Sequence, residues 1–167
     1  IKSIEARLKK LYKKYTADDI KDIHLLENLK TALEAITPAD FTRYQKLLDL
    51  LKSKEYAWNP ADSGDRVVIF TERIETMKYL AERLRQDLGL KANVIQEISG
   101  GMSDAEQQRI VEDFGRTESP VRVLVASDVA SEGLNLHYLS HRLIHFDIPW
   151  SLMVFQQRNG RIDRYGQ

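Results

Sequence analysis

The sequence predicts an α/β fold, a parallel sheet with helices on both faces, preceded by an α-helical segment. Three observations carry this expectation. After residue 65 short apolar runs recur, RVVIF (66–70) and VRVLVA (121–126) foremost, as strands buried on both faces require. Between such runs the apolar residues fall at helical spacing, giving strand, helix, strand, helix, strand, strand with short connections, the order of a parallel sheet. Before residue 60 only the helical period is present. The boundary is therefore expected at 1–60 for the helical segment and 61–167 for the sheet-bearing domain.

In the first segment Ile1, Ile4, Leu8 and Leu11 make one stripe, and Ile20, Ile23, Leu26, Leu29, Leu33 and Ile36 a second. A third helix is expected to open at Thr37-Pro38, a cap followed by proline at the first helical position, and carries Phe41, Tyr44, Leu47, Leu48 and Leu51. Lys9, Lys10, Lys13 and Lys14 read first as a solvated face, with a nucleic-acid or partner surface as the alternative. Residues 53–65, SKEYAWNPADSGD, collect Pro, Gly, Asn and Asp and read as a linker. Trp58 within it is expected to anchor the linker rather than to stack on a base.

In the second segment Thr71 is expected to cap a helix bearing Ile74, Met77, Ala81, Leu84 and Leu88 and closed by Gly89. NVIQEIS (93–99) reads as a weaker strand. Past Gly100-Gly101, Ser103 and Glu106 form an S-x-x-E capping box for a helix with Ile110, Val111 and Phe114. RLIHFD (142–147) supplies the last strand.

Composition narrows the chemistry. The 167 residues hold 25 Lys+Arg against 25 Asp+Glu, so any basic surface must be local. There is no cysteine, which removes disulfides, thiolate metal sites and cysteine nucleophiles. No apolar run approaches the roughly 20 residues that span a bilayer, so no membrane association is expected. The chain starts on Ile1 and is expected to be a piece of a longer protein. G-x-x-x-x-G-K-[ST], G-x-G-x-x-G and G-x-S-x-G are all missing. His137, His141 and His145 recur every four residues, which would line one face of a helix, but His141 and His145 flank or occupy a predicted strand and no carboxylate completes the set; no metal is expected.

Ligands of parallel sheets gather beyond the carboxyl ends of the strands. There the sequence places Thr71-Glu72-Arg73, Gly100-Gly101-Met102, SDVASEGLNLH (127–137) and the closing QQRNGRIDRYGQ (156–167). Arg161 and Arg164, three apart, would project from one side of a helix. Two guanidinium forks side by side suit the charge on a transferring γ-phosphoryl group. Spacing alone leaves that reading level with ordinary surface arginines.

SDVASEGLNL (127–136) and QRNGRIDRYGQ (157–167) resemble motifs V and VI of superfamily 2 helicases, nearest the Swi2/Snf2-like branch. RVVIFTE (66–72) is similar to motif IV, and SGGMSDAEQQRIVEDF (99–114) to the segment adjoining it. The four occur in the family's order over about residues 65–167. The ending Arg-Tyr-Gly-Gln is nearer to Snf2-type translocases, including those associated with bacterial RNA polymerase, than to many unwinding helicases.

The resemblance implies the second RecA-like lobe of an ATP-driven motor, sharing an ATP site with an N-terminal RecA-like lobe that holds Walker A. ATP with Mg²⁺ would be bound mainly by that first lobe. Arg161 and Arg164 would be its arginine fingers, with Gln157, Gly160, Glu132, Gly133 and Asn135 also on the nucleotide. Thr71, Gly100, Gly101, Met102 and Asp128 would face nucleic acid, expected to be double-stranded DNA. RNA polymerase or another protein is an implied partner, and the location cytoplasmic, at the nucleoid in a bacterium. Arg158 and Asn159 depart from other branches and receive no role. The chain alone is expected to be inactive. The alternatives are a strand-separating helicase lobe and a non-catalytic binding platform.

Overall fold

A computed structural model describes residues 1–13, 16, 19–127, 136, 140 and 142–160. The chain divides into two compact units, residues 1–45 and 46–167.

In the first unit α1 (Lys2–Lys13) and α2 (Asp19–Glu34) share one seam. Leu8 and Leu11 of α1 and Ile23 of α2 are buried together, flanked by Ile4 and Leu26. The wider stripe expected on α2 is not all covered: Ile20, Leu29 and Ile36 stay exposed. A two-helix seam buries only one narrow strip of each helix. Lys9, Lys10 and Lys13 are exposed. The third helix does not open at Pro38. Asp40 folds back so that the Thr37 N–H and hydroxyl donate to its Oδ2 at 2.8 and 2.7 Å. That closes a single 3₁₀ turn, Pro38–Asp40, and α3 (Thr42–Lys52) starts after it.

In the second unit the linker is pinned. Trp58 is 8% exposed and its Nε1 donates to the Asp65 carbonyl at 3.1 Å. Asp65 Oδ1 accepts from Arg142 Nε at 2.6 Å, and the Arg142 guanidinium lies 4.6 Å from the Tyr56 ring centre.

Among the described residues four strands form one sheet: β1 (Val67–Thr71), β2 (Ile95–Ile98), β3 (Val123–Ser127) and β4 (Arg142–His145). Their order is β2-β3-β1-β4 and every pairing is parallel. β2 is shorter than the run suggested, because Ala92–Val94 form a 3₁₀ turn first. The central strands β1 and β3 are buried throughout, as their apolar runs require. Phe114 of α5 (Asp104–Gly115) packs with Val68, Phe70, Ile98, Leu124 and Ala126 on one face. Strand alternation turns Val67, Ile69, Ile95, Val123 and Val125 to the other face. There α4 (Ile74–Asp87) contacts β1, β2 and β3 and buries Met77, Leu80, Ala81 and Leu84. Gly89 ends α4 at φ 63°, a left-handed conformation glycine adopts without Cβ strain. α6 (Leu152–Asn159) follows β4.

Candidate functional site

The register fixes one ligand edge. Thr71 pairs with Ser127, Ile98 with Ala126 and Phe70 with His145, so the strands finish at nearly one level. Everything expected to carry chemistry follows those ends.

At the end of β1 the structure corrects the reading of Thr71. It does not cap α4, whose N-cap is Arg73. Thr71 is instead the last strand residue, fully buried, and its hydroxyl donates to Asp147 Oδ2 at 2.6 Å. What it presents to the edge is the loop it holds, not a free hydroxyl. The Glu72 N–H adds a second bond to the same carboxylate, 2.9 Å from Oδ1.

At the end of β2, Gly100 and Gly101 are exposed in a turn closed by Met102 N–H on the Ser99 carbonyl at 3.1 Å. Gln107 Nε2 donates to the Ser99 and Met102 carbonyls, both at 3.2 Å, and locks the turn to α5. The Met102 side chain packs against the Phe70–Phe114 core. The capping box forms as expected, with Ser103 N–H and hydroxyl on Glu106 Oε2 at 2.9 and 2.8 Å. The Ser103 main-chain N–H, first, and its hydroxyl hold the Glu106 carboxyl below its ordinary range.

At the end of β3, Ser127 is fully buried and its hydroxyl has no partner among the described residues. Sequence reasoning did not single it out. Its position, a polar residue closing an apolar strand at the ligand edge, was the available signal.

At the end of β4 lies a polar cluster that the spacing did not foretell. Arg158 of α6 is fully buried. Its Nη1 donates to the Asp147 carbonyl at 2.7 Å and its Nη2 lies 3.3 Å from Asp147 Oδ1. The guanidinium carbon sits 5.7 Å from the Phe70 ring centre. His145 Nε2 is 2.9 Å from Asn159 Oδ1, its Nδ1 is 3.4 Å from Arg158 Nη1, and its ring stacks on Phe155 at 4.5 Å. A buried guanidinium is tolerated only when paired and hydrogen-bonded, and this one is both. The hint in the sequence was an arginine set three residues ahead of the expected pair.

Of the residues expected on nucleotide, Gln157 is half-buried on α6 and Gly160 is exposed at its C-cap. A Cβ on Gly160 would lie 3.3 Å from the Gln156 carbonyl oxygen, tighter than ordinary contact. Thus Thr71, Gln157 and Gly160 are linked through Asp147 and α6, whereas Gly100–Met102 stand on β2, beyond β3. Arg161, Arg164, Asp128, Glu132, Gly133 and Asn135 lie outside the described residues, as do His137 and His141. Among the described residues no group of three or more His, Asp or Glu could hold a metal ion, and no helix is long and apolar enough to cross a membrane.

A parallel sheet of this order, with its ligand edge built from these loops, belongs with the motor lobes of superfamily 2. The chain is a member of the helicase conserved C-terminal domain family, whose model matches residues 42–166. Among curated proteins it is similar to the RNA polymerase-associated protein RapA of Vibrio parahaemolyticus, 32% identical over 126 residues, covering 75% of this chain and 12% of that protein. RapA of Vibrio vulnificus is 34% identical over 107 residues, 64% of this chain and 11% of the relative. The chain thus spans only about an eighth of the curated relatives it matches. Among solved structures, the E. coli DEAD-box protein SrmB, bound to regulator of ribonuclease activity A, is 27% identical with TM-score 0.51, over 75% of this chain and 65% of that one. The DEAD box protein of Methanococcus jannaschii is 26% identical with TM-score 0.55, over 75% of this chain and 30% of that one. The C-terminal part of the Fun30 ATPase domain, 17% identical with TM-score 0.55 over 85% of this chain and 50% of that one, shares the fold.

Proposed function

We propose that the chain is the second motor lobe of a nucleic-acid-dependent ATPase of the Snf2-like type, a translocase on double-stranded DNA. The observation that carries this reading is the family match across residues 42–166 together with the segment QRNGRIDRYGQ (157–167), which begins in the last turn of α6. Lobe closure would bring Arg161 and Arg164 to the γ-phosphate of ATP held chiefly by a first lobe. Gln157, Gly160, Glu132, Gly133 and Asn135 would line the nucleotide. In a water-excluded cleft, fixed guanidinium charge lowers the barrier to phosphoryl transfer, worth about 10³–10⁵-fold for such fingers. Mg²⁺ would accompany ATP chiefly on that first lobe; among the described residues of this chain no group of three or more His, Asp or Glu could hold it.

On the nucleic-acid side, the Gly100-Gly101 turn would meet the phosphate backbone with main-chain N–H groups, beside Met102 and Asp128. Thr71 would act through the loop that it and Asp147 hold together. A motor that walks must tolerate sequence, which favours backbone contacts over base readout. The name of the Vibrio relatives supports RNA polymerase as a protein partner.

The test is Arg161→Ala and Arg164→Ala in the complete, two-lobed protein. Each is expected to lower nucleic-acid-stimulated ATP hydrolysis about 10³-fold or more; unchanged hydrolysis in both would reject the finger assignment. The likeness to DEAD-box proteins at 26–27% identity favours a second reading, a strand-separating helicase. Duplex unwinding by the complete protein would select it.

A further inference from the structure

We propose that Asp147 and Arg158 are positioning residues for Arg161 and Arg164, a buried clamp that fixes where the finger segment leaves the fold. This rests on the function proposed above. Three stretches of chain meet at Asp147. Thr71 and Glu72 at the end of β1 donate to its two carboxylate oxygens at 2.6 and 2.9 Å. Arg158 of α6 grips both its main-chain carbonyl, at 2.7 Å, and its carboxylate, at 3.3 Å. The end of β4, the end of β1 and α6 are thereby held to one another by a single residue.

The way α6 is anchored sets it apart from α4 and α5. Those helices bury apolar side chains such as Leu80 and Phe114. The one fully buried residue of α6 is Arg158, while Leu152 and Met153 are 69% and 64% exposed. A helix held by an apolar face can slide or roll with small loss, because that attraction is non-directional. A planar fork on two fixed oxygens cannot. A buried ion pair contributes little net stability compared with an apolar pair of like size, so its use here is geometric.

His145 and Asn159 complete the arrangement. Asn159 Oδ1 can only accept, so His145 carries its proton on Nε2, 2.9 Å away, and leaves Nδ1 to accept from Arg158 Nη1. The histidine thereby ties residues 158 and 159 to β4 just before the chain reaches Gly160. Arg161 and Arg164 follow Arg158 by three and six residues in the sequence, so the chain enters the finger segment from the helix this clamp seats.

The experiment uses the complete, two-lobed ATPase with Arg158→Lys, Arg158→Met and Asp147→Asn, each alone and combined with the pair Arg161→Ala/Arg164→Ala. Misplacement by about 1 Å costs on the order of 10²-fold in rate. Each single variant is expected to lower kcat by about that factor with KM for ATP and for nucleic acid nearly unchanged and far-ultraviolet circular dichroism retained. Arg158→Lys keeps the charge but not the fork and is expected to fall with the others. Because the clamp acts through both fingers, adding it to the Arg161→Ala/Arg164→Ala pair should lower kcat no further. Wild-type kcat in all three single variants overturns the proposal, as do additive losses in the combined variants or a kcat loss that merely follows the unfolded fraction. Full activity in the Arg161→Ala/Arg164→Ala pair would instead sink the finger reading, a result separate from failure of the clamp.

Discussion

Ser127 closes β3 with a hydroxyl that is buried and has no partner among the described residues. Such a group costs about 1–3 kcal/mol, so removing it should not harm the fold. Ser127→Ala is expected to leave the thermal unfolding midpoint of the chain unchanged or to raise it, as read by circular dichroism. A drop of more than a few degrees would mean that the hydroxyl is satisfied in the folded chain. Some residues of the fold were legible in the sequence and some were not. Trp58 was readable as an anchor because a large ring amid turn residues has somewhere to be buried and a single N–H to satisfy. Arg158 was not, because composition and spacing treat every arginine alike. Only three-dimensional burial, and a carboxylate delivered from beyond the end of β4, marks out the guanidinium at 158.

Among the elements, α5 was read from its signals almost in full, and they have a consequence in solution. Its start at Ser103 and its apolar stripe both follow from local chemistry, and the capping box ties the Glu106 carboxylate to Ser103. Because those bonds favour the charged form, the Glu106 carboxyl is more acidic in the folded chain than in the unfolded one. A depressed carboxyl adds stability above its ordinary pKa of about 4.3, and that contribution is lost as pH falls through the folded value. Wild type is therefore expected to melt higher than Glu106→Gln at pH 7, and the gap to close as the pH drops below about 4. A gap that does not narrow as the pH falls below the ordinary carboxyl range would contradict the linkage. The third helix was less legible for a reason of the same kind. Thr37 and Asp40 form a local motif too, but theirs closes on itself in one turn and Phe41 leaves the helical region, with φ −85° and ψ 76°. A capping pattern reports that a turn begins; whether a helix continues from it depends on the next residue's backbone. α6 presents the opposite case: neither its span, 152–159, nor its attachment through the Arg158–Asp147 ion pair was singled out in the sequence.

At the scale of the whole molecule, the proposed function makes this chain one part of a shared site. The sheet was legible because continuous apolar runs allow little except parallel strands covered on both faces, and that fold brings the loops after β1, β2, β3 and β4 to one edge. The same reasoning limits the chain. No G-x-x-x-x-G-K-[ST] segment occurs in it, so nothing cradles the β- and γ-phosphates with main-chain N–H groups or reaches them with the lysine of that loop. If Arg161 and Arg164 serve a pocket completed by another lobe, as proposed, the 167-residue chain is expected to turn over no ATP with or without duplex DNA, and the complete two-lobed protein is expected to hydrolyse it with stimulation by DNA. Phosphate release measured side by side on the two decides the matter. Turnover by the isolated chain, persisting in Arg161→Ala, would mean that the site is neither shared nor built from these arginines.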